Sequence, residues 1–301
     1  MSRLFDALQQ SKTEGAGYEF PLISSLAAEV PQTAQMTEGI EAEIPGVDAN
    51  YMVQFRSLSI SPAPDSRLVS LMDQASLGAE KFRFLGVRLR QLSQTRSLKT
   101  VLITSTIPEE GKSTVSANLA ITLAQRRQQK VLLLEGDLRR PSLSGKFGIR
   151  EPLPGLSEWL QSDLGAITSI YHLQEAGFWF LPAGGQPENN LELVRSERLS
   201  RLVNQLTDLF DWILIDSPPV APLADTSVWM RVADGVLLVA REGTTQKRQL
   251  QRGIGALEQS KLLGVVLNSS TNTDNDNYYQ RYAPLSLKST GKSKGDEQEP
   301  A

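Results

Sequence analysis

The chain has 301 residues, 31 of them basic and 34 acidic, for a formal net charge of −3, so no global excess of positive charge speaks for a nucleic-acid partner bound by phosphate neutralisation. Cysteine is absent and His172 is the single histidine, which removes disulfides, thiolate metal sites, cysteine nucleophiles and multi-histidine metal centres, and leaves few ways to build a serine triad. No run approaches the roughly 18 consecutive apolar residues of a membrane-spanning helix, and the N-terminus shows neither a long apolar stretch nor a small-residue cleavage site, so a cytoplasmic protein is expected.

Residues 1–67 are punctuated by Pro21, Pro31, Pro45, Pro62 and Pro64 and read as a flexible linker, with Leu4, Phe5 and Leu8 able to share one face of a short helix. Over 68–94 helical spacing sets in, with Glu80, Arg83, Arg88 and Arg90 interleaved with Phe82, Leu85 and Leu89. Short apolar runs at 101–103, 131–134, 178–181, 213–215, 236–239 and 265–267 then alternate with helical stretches at 112–127, 196–210 and 245–260. Continuous apolar strands separated by amphipathic helices predict an α/β, doubly wound, mostly parallel sheet covered on both faces, over 68–270. Residues 271–301 pass from an Asn- and Asp-rich stretch through a tyrosine cluster to KSTGKSKGDEQEPA, a tail too polar to fold alone.

The strand VLITS runs into TIPEEGKST and then VSANLAITLAQRR, and the order strand, Gly-Lys-Ser loop, helix is the context of a phosphate-binding loop. Gly111 lets the backbone pass close to phosphates, and the helix starting near Lys112 offers unpaired donors and a positive dipole end. Lys112 would neutralise the β and γ phosphates and the Ser113 hydroxyl would ligate Mg²⁺, with Glu110, Gly111 and Thr114 as further nucleotide contacts. The loop departs from G-x-x-x-x-G-K-[ST] in two ways: Thr106 stands where the first Gly would be, and Glu109 occupies a position that suits Gly.

Asp216 in ILIDSPP ends an apolar strand, where a carboxylate can hold a metal ion, and Pro218 and Pro219 directly after it weaken the alternative of a helix cap. In VLLLEGDLRRP, Glu135 and Asp137 flank Gly136; carboxylates two residues apart on an extended chain point the same way, so both could face nucleotide and metal. The candidate catalytic residues are Lys112, Glu135, Asp137 and Asp216, and the candidate metal ligands are Ser113, Asp137 and Asp216.

These segments resemble the Walker A, Walker A′ and Walker B motifs of the bacterial tyrosine kinases, autokinases that accompany capsule and exopolysaccharide synthesis. The resemblance covers about 80–268 and extends to DLRRP, to GLSEWL at Gly155, to LPAGGQPENNLEL at Leu181 and to IDSPPVAPLAD at Ile215. The related division-site and partitioning ATPases carry a signature lysine five residues before the P-loop lysine, where this chain has Ile107. The resemblance implies ATP with Mg²⁺ and transfer of the γ phosphate to tyrosine hydroxyls. It puts Asp137 and Asp216 around the metal, and the first Walker A′ acid beside the attacking hydroxyl. That acid is usually Asp and is Glu135 here; its extra methylene shifts the carboxylate by more than an ångström, which puts the rate in doubt. Arg139 and Arg140 are candidates to contact the nucleotide or a neighbouring subunit, with a solvated turn as the alternative. The family's E-x-x-R-x-x-R assembly helix is matched by Glu80 and Arg83 but has Gly86 in its last position; a homo-oligomer is still expected.

Tyr278, Tyr279 and Tyr282 lie in NDNYYQRYAP, and the resemblance makes them autophosphorylation sites reached in trans, each phosphate adding roughly −1.5 to −2 charges. Arg241 follows a strand and is a nucleotide-binding candidate; Asn268 is a candidate purine contact by resemblance to the wider ATPase superfamily, with a turn asparagine as the alternative. His172 lies outside every motif, and Trp159, Trp179, Trp212 and Trp229 are expected in the core. The resulting expectation is an ATP-dependent protein tyrosine kinase acting on its own C-terminal cluster and on protein tyrosines, in polysaccharide synthesis or export. A separate membrane-anchored activator protein would recruit it to the inner membrane face. The rivals are a positioning or partitioning ATPase and a non-catalytic nucleotide-binding regulator.

Overall fold

The computed structural model describes residues 55–125, 129–161, 169–185, 190–195, 197–220 and 225–269. The proline-punctuated segment up to residue 54 and the three tail tyrosines lie outside the described residues.

The apolar runs of the sequence become the centre of one eight-stranded sheet among the described residues. Its strands are β1 (Arg56–Leu58), β2 (Thr100–Ser105), β3 (Val131–Glu135), β4 (Tyr171–Leu173), β5 (Phe178–Leu181), β6 (Trp212–Asp216), β7 (Gly235–Arg241) and β8 (Leu262–Asn268), in the order β1-β4-β5-β3-β6-β2-β7-β8. Every residue of β2, β3 and β6 is buried, as strands covered on both faces must be. All neighbours run parallel except β4 and β5, which pair as an antiparallel hairpin. β1 pairs with β4, so the sheet reaches back to Arg56, upstream of the boundary at 68 that composition suggests.

The helices are α1 (Val69–Met72), α2 (Leu77–Thr95), α3 (Lys112–Ala124), α4 (Leu143–Lys146), α5 (Leu156–Gln161), α6 (Asn190–Arg195), α7 (Glu197–Leu209), α8 (Asp225–Val232) and α9 (Lys247–Gly255). α7 buries Leu199, Leu202, Val203 and Leu206, the i, i+3, i+4, i+7 stripe of a helix laid on a sheet. α3 is buried almost throughout, between the sheet and α1 and α2. α2 starts on a Ser76 cap whose hydroxyl accepts from the Ala79 amide at 3.2 Å. Where α2 crosses α3, a Cβ on Gly86 would lie 3.3 Å from Thr122 Cγ2 and 3.6 Å from Leu123. The third position of the assembly motif therefore faces the core, where an arginine has no room, while Arg83 pairs with Glu80 on its own helix.

Phe147, Phe178 and Phe180 meet edge to face in the core with ring centroids 5.4–5.7 Å apart. Trp212 and Trp229 are buried as expected, whereas Trp179 is half-buried at the sheet edge between His172 and Phe210. His172 thus has a packing role in β4, and burial lowers its pKa. Among the described residues no helix is long and apolar enough to cross a membrane.

Candidate functional site

β2, β3, β6, β7 and β8 end on the same side of the sheet, and the topology switches at β2, which lies between β6 and β7. The loop after β2 leads into α3, whose N-cap is Gly111 at φ 90°, with no side chain capping the helix. The first amides of α3 are therefore open to an anion, as a phosphate cradle requires. A Cβ on Gly111 would collide with Asn268 Nδ2, so the position needs glycine for both its dihedral and its space.

The two departures of the loop have distinct physical outcomes. Thr106 is buried against α9, where Gly253 makes the room: a Cβ on Gly253 would lie 2.7 Å from Thr106 Oγ1. Glu109 adopts φ 67°, a left-handed conformation that costs a non-glycine residue about 1–2 kcal/mol. Its carbonyl accepts a long bond, 3.4 Å, from Arg241 Nη1.

Glu110 is fully buried and braces the loop from within. Its carboxylate accepts from the Ile107 amide at 2.9 Å and from the Thr245 hydroxyl, and its carbonyl accepts from Asn268 Nδ2 at 2.9 Å. Thr245 in turn accepts from the Arg241 amide at 2.8 Å, tying the loop to the end of β7. The Glu110 side chain and carbonyl are thus spent on bracing the loop, so a contact with a nucleotide would come from its backbone amide. Asn268 lines the cavity while its Nδ2 donates to the Glu110 carbonyl and its Oδ1 accepts from the Ser269 amide.

Lys112 Nζ lies 2.9 Å from Asp137 Oδ2, with both side chains largely buried. Burial pulls the Lys112 pKa down, but Asp216 and Asp137 outweigh it and hold the ammonium above the usual lysine range. Asp216 is buried at the end of β6 and accepts from Ser116 Oγ at 3.2 Å, a contact the sequence did not suggest. Burial raises its pKa more than Lys112 and the Ser113 hydroxyl lower it. Lys112, Ser113, Asp137 and Asp216 therefore come together as expected.

Glu135 stands beside them, in register with Asp216, but its carboxylate is held by backbone amides. Its Oε1 accepts from the Ser142 and Leu143 amides, both at 2.6 Å, and its Oε2 from the Ala183 amide at 3.2 Å. The extra methylene carries the carboxylate onto the start of α4 and the loop after β5, so the expected parallel display of Glu135 and Asp137 is corrected. Burial raises the Glu135 pKa against the opposing amides of Leu143 and Ala183. Glu135→Ala is expected to lower stability by about 2–4 kcal/mol, since three amides lose their acceptor. A general base would instead leave the melting temperature unchanged and lose only turnover; thermal denaturation separates the two.

The cavity above this cluster has a volume of about 1030 Å³ and is also lined by Thr114, Arg139, Arg140 and Arg241, together with Arg67 and Lys146, which sequence reasoning missed. Among the described residues no group of three or more His, Asp or Glu side chains could hold a metal alone. A hydroxyl and two carboxylates instead suit Mg²⁺, which keeps waters and shares substrate phosphates.

No family model matches the chain. It is 32% identical over 213 residues to the tyrosine-protein kinase YwqD of Bacillus subtilis (strain 168), covering 70% of this chain and 89% of that protein. A putative tyrosine-protein kinase, CapB of Staphylococcus aureus, is 32% identical over 206 residues, covering 68% of this chain and 90% of CapB. The solved kinase domain of the Escherichia coli tyrosine kinase ETK superposes with a TM-score of 0.63 at 28% identity, covering 68% of this chain and 82% of that domain.

Proposed function

The chain belongs to the bacterial tyrosine kinase family, and from that membership we propose that it transfers the γ phosphate of ATP to protein tyrosines, its own Tyr278, Tyr279 and Tyr282 among them. The observation that carries the reading is the cluster of Lys112, Ser113, Asp137 and Asp216 at the glycine-capped start of α3. Mg²⁺, held by Ser113, Asp137 and Asp216, would neutralise and orient the phosphates.

The protein's own groups do the rest. Lys112 sets a positive charge against the β and γ phosphates, and the open amides of α3 cradle them. Arg139 and Arg241 line the same cavity and add charge around the nucleotide. The phenolic oxygen forms the new bond to phosphorus, the bond to the ADP oxygen breaks, and the phenolic proton passes to a carboxylate. Asp137 is paired with Lys112 and turned to the metal, so the first Walker A′ acid, Glu135, would take that proton only on releasing the amides that hold it, which predicts slow turnover.

The wider reading follows the family: a role in capsule or exopolysaccharide synthesis or export, a homo-oligomer presenting tails in trans, and a membrane-anchored activator that brings the kinase to the inner face of the membrane. The test is incubation of the purified chain with Mg-ATP, with and without the cytoplasmic segment of a candidate activator, followed by mass spectrometry of residues 275–288. Phosphate on Tyr278, Tyr279 or Tyr282, lost when all three are replaced by Phe, is the expected result. ATP hydrolysis without phosphotyrosine would favour a switch ATPase, and nucleotide binding with neither would favour a regulator.

A further inference from the structure

The cavity extends beyond the phosphate loop to a wall built by elements that carry none of the phosphate- and metal-binding motifs. Arg67, just before α1, and Lys146, in the last turn of α4, line that wall beside Val69 of α1 and Phe82 of α2. Neither the Arg67 guanidinium nor the Lys146 ammonium has a hydrogen bond or ion pair among the described residues. Arg67 is held in a left-handed conformation, φ 59°, and its carbonyl is fixed by Asn118 Nδ2 at 2.9 Å. Lys146 is half-buried, and burial, with Arg67 and Lys112 nearby, lowers its pKa against the pull of Asp216 and Asp65.

Arg67, Lys112, Arg140, Lys146 and Arg241 line the cavity with Asp65, Glu109 and Asp137, while the carboxylates nearest the phosphate loop, Asp137 and the buried Asp216, face Lys112. A nucleotide on the P-loop accounts for the cations near α3. Arg67 and Lys146, brought together across the fold with an apolar wall beside them, call for a second anionic ligand that also carries an apolar ring.

We propose that Arg67, Lys146, Val69 and Phe82 form the acceptor subsite of the kinase and select tyrosines preceded by acidic residues. This rests on the kinase reading above and names the substrate class of the same cavity. The ring packs on Val69 and Phe82, and the flanking carboxylates meet the two cations. The chain itself carries such a sequence: Asp274 and Asp276 stand four and two residues before Tyr278. In an extended bound conformation, residues two apart project on the same side, at about 3.3 Å of rise per residue, so both carboxylates would face the same wall. The occupant is this tail segment from a second copy of the chain.

Two readouts on the full-length chain test the proposal. Fluorescence anisotropy would follow binding of a labelled peptide of residues 270–285, and mass spectrometry would follow its phosphorylation by Mg-ATP. Replacing Asp274 and Asp276 of the peptide by Asn should weaken binding and raise KM about five- to tenfold, with kcat nearly unchanged. Lys146→Met and Arg67→Met should weaken the acidic peptide to the level of the neutral one and leave the neutral peptide unaffected. Lys146→Arg should restore the preference. Equal binding of both peptides would overturn the subsite, as would a preference for the acidic peptide that survives both Met variants. Selective binding of the acidic peptide with no phosphate on it would leave the subsite standing and remove the kinase reading instead.

Discussion

Lys112→Met is expected to abolish phosphotyrosine formation, with a loss of at least about a hundredfold, and to cost about 3–5 kcal/mol of stability at neutral pH. The second effect follows from burial. The Lys112 side chain is 12% exposed and faces Asp137, 5% exposed, with Asp216 buried alongside, so its removal leaves two largely buried carboxylates without that counter-charge. The pH dependence has a definite sign. Burial already raises the Asp216 pKa, and losing the lysine raises it further, so the charged carboxylate is a liability that protonation removes. A group with a raised folded-state pKa contributes its stability at low pH and loses it as pH rises through that pKa. The gap between wild type and variant should therefore narrow as pH falls from neutral toward the carboxylate range. Urea denaturation at several pH values measures it, and Asp216→Asn in the Met background should recover part of the loss at neutral pH. Wild-type stability of the variant at neutral pH, or a gap that does not move with pH, would show that the lysine does not neutralise this pair.

Gly111→Ala should weaken nucleotide binding by about ten- to a hundredfold. Alanine at φ 90° costs about 1–3 kcal/mol, and its methyl group displaces Asn268, whose amide holds the Glu110 carbonyl at 2.9 Å. Both faults act on the segment whose amides would cradle the phosphates. Asn268→Ala in the same chain removes the collision but not the dihedral strain, so the double variant should recover only part of the affinity, a non-additive result for residues in contact. Titration with a fluorescent ATP analogue reads both. Unchanged affinity in Gly111→Ala would mean that the loop binds in a conformation other than this one.

The sheet's centre is legible in the sequence because strands buried on both faces must be continuously apolar, and the runs around 101–103, 131–134 and 213–215 have no other use. The edge is not legible. β1 and β4 are three residues each, RSL and YHL, too short to show a period, and they are strands only because they pair with each other and with β5. Helix α9 ends at Gly255, short of the 260 that amphipathic spacing suggests, close to the two glycines of its last turn. In the site, Lys112, Ser113, Asp137 and Asp216 are fixed by backbone geometry close to their own strand or helix end, so local sequence suffices. The bracing roles of Glu135 and Glu110 were not legible because their partners at Ala183 and Thr245 are brought near only by the tertiary structure. Arg67 and Lys146 left no sequence signal, since 78 intervening positions and five elements separate two residues that share a wall only in the folded chain.

The bond between Asn268 and the carbonyl of Glu110 joins residues 158 positions apart, and it sets an order in time as well as in space. At about 5–20 residues per second of synthesis, on the order of ten to thirty seconds pass between the emergence of the phosphate loop and that of the strand that braces it. Through that interval the ribosome-bound chain exposes a loop without its final support. The site closes only as β8 arrives, with Tyr278 ten residues behind Asn268.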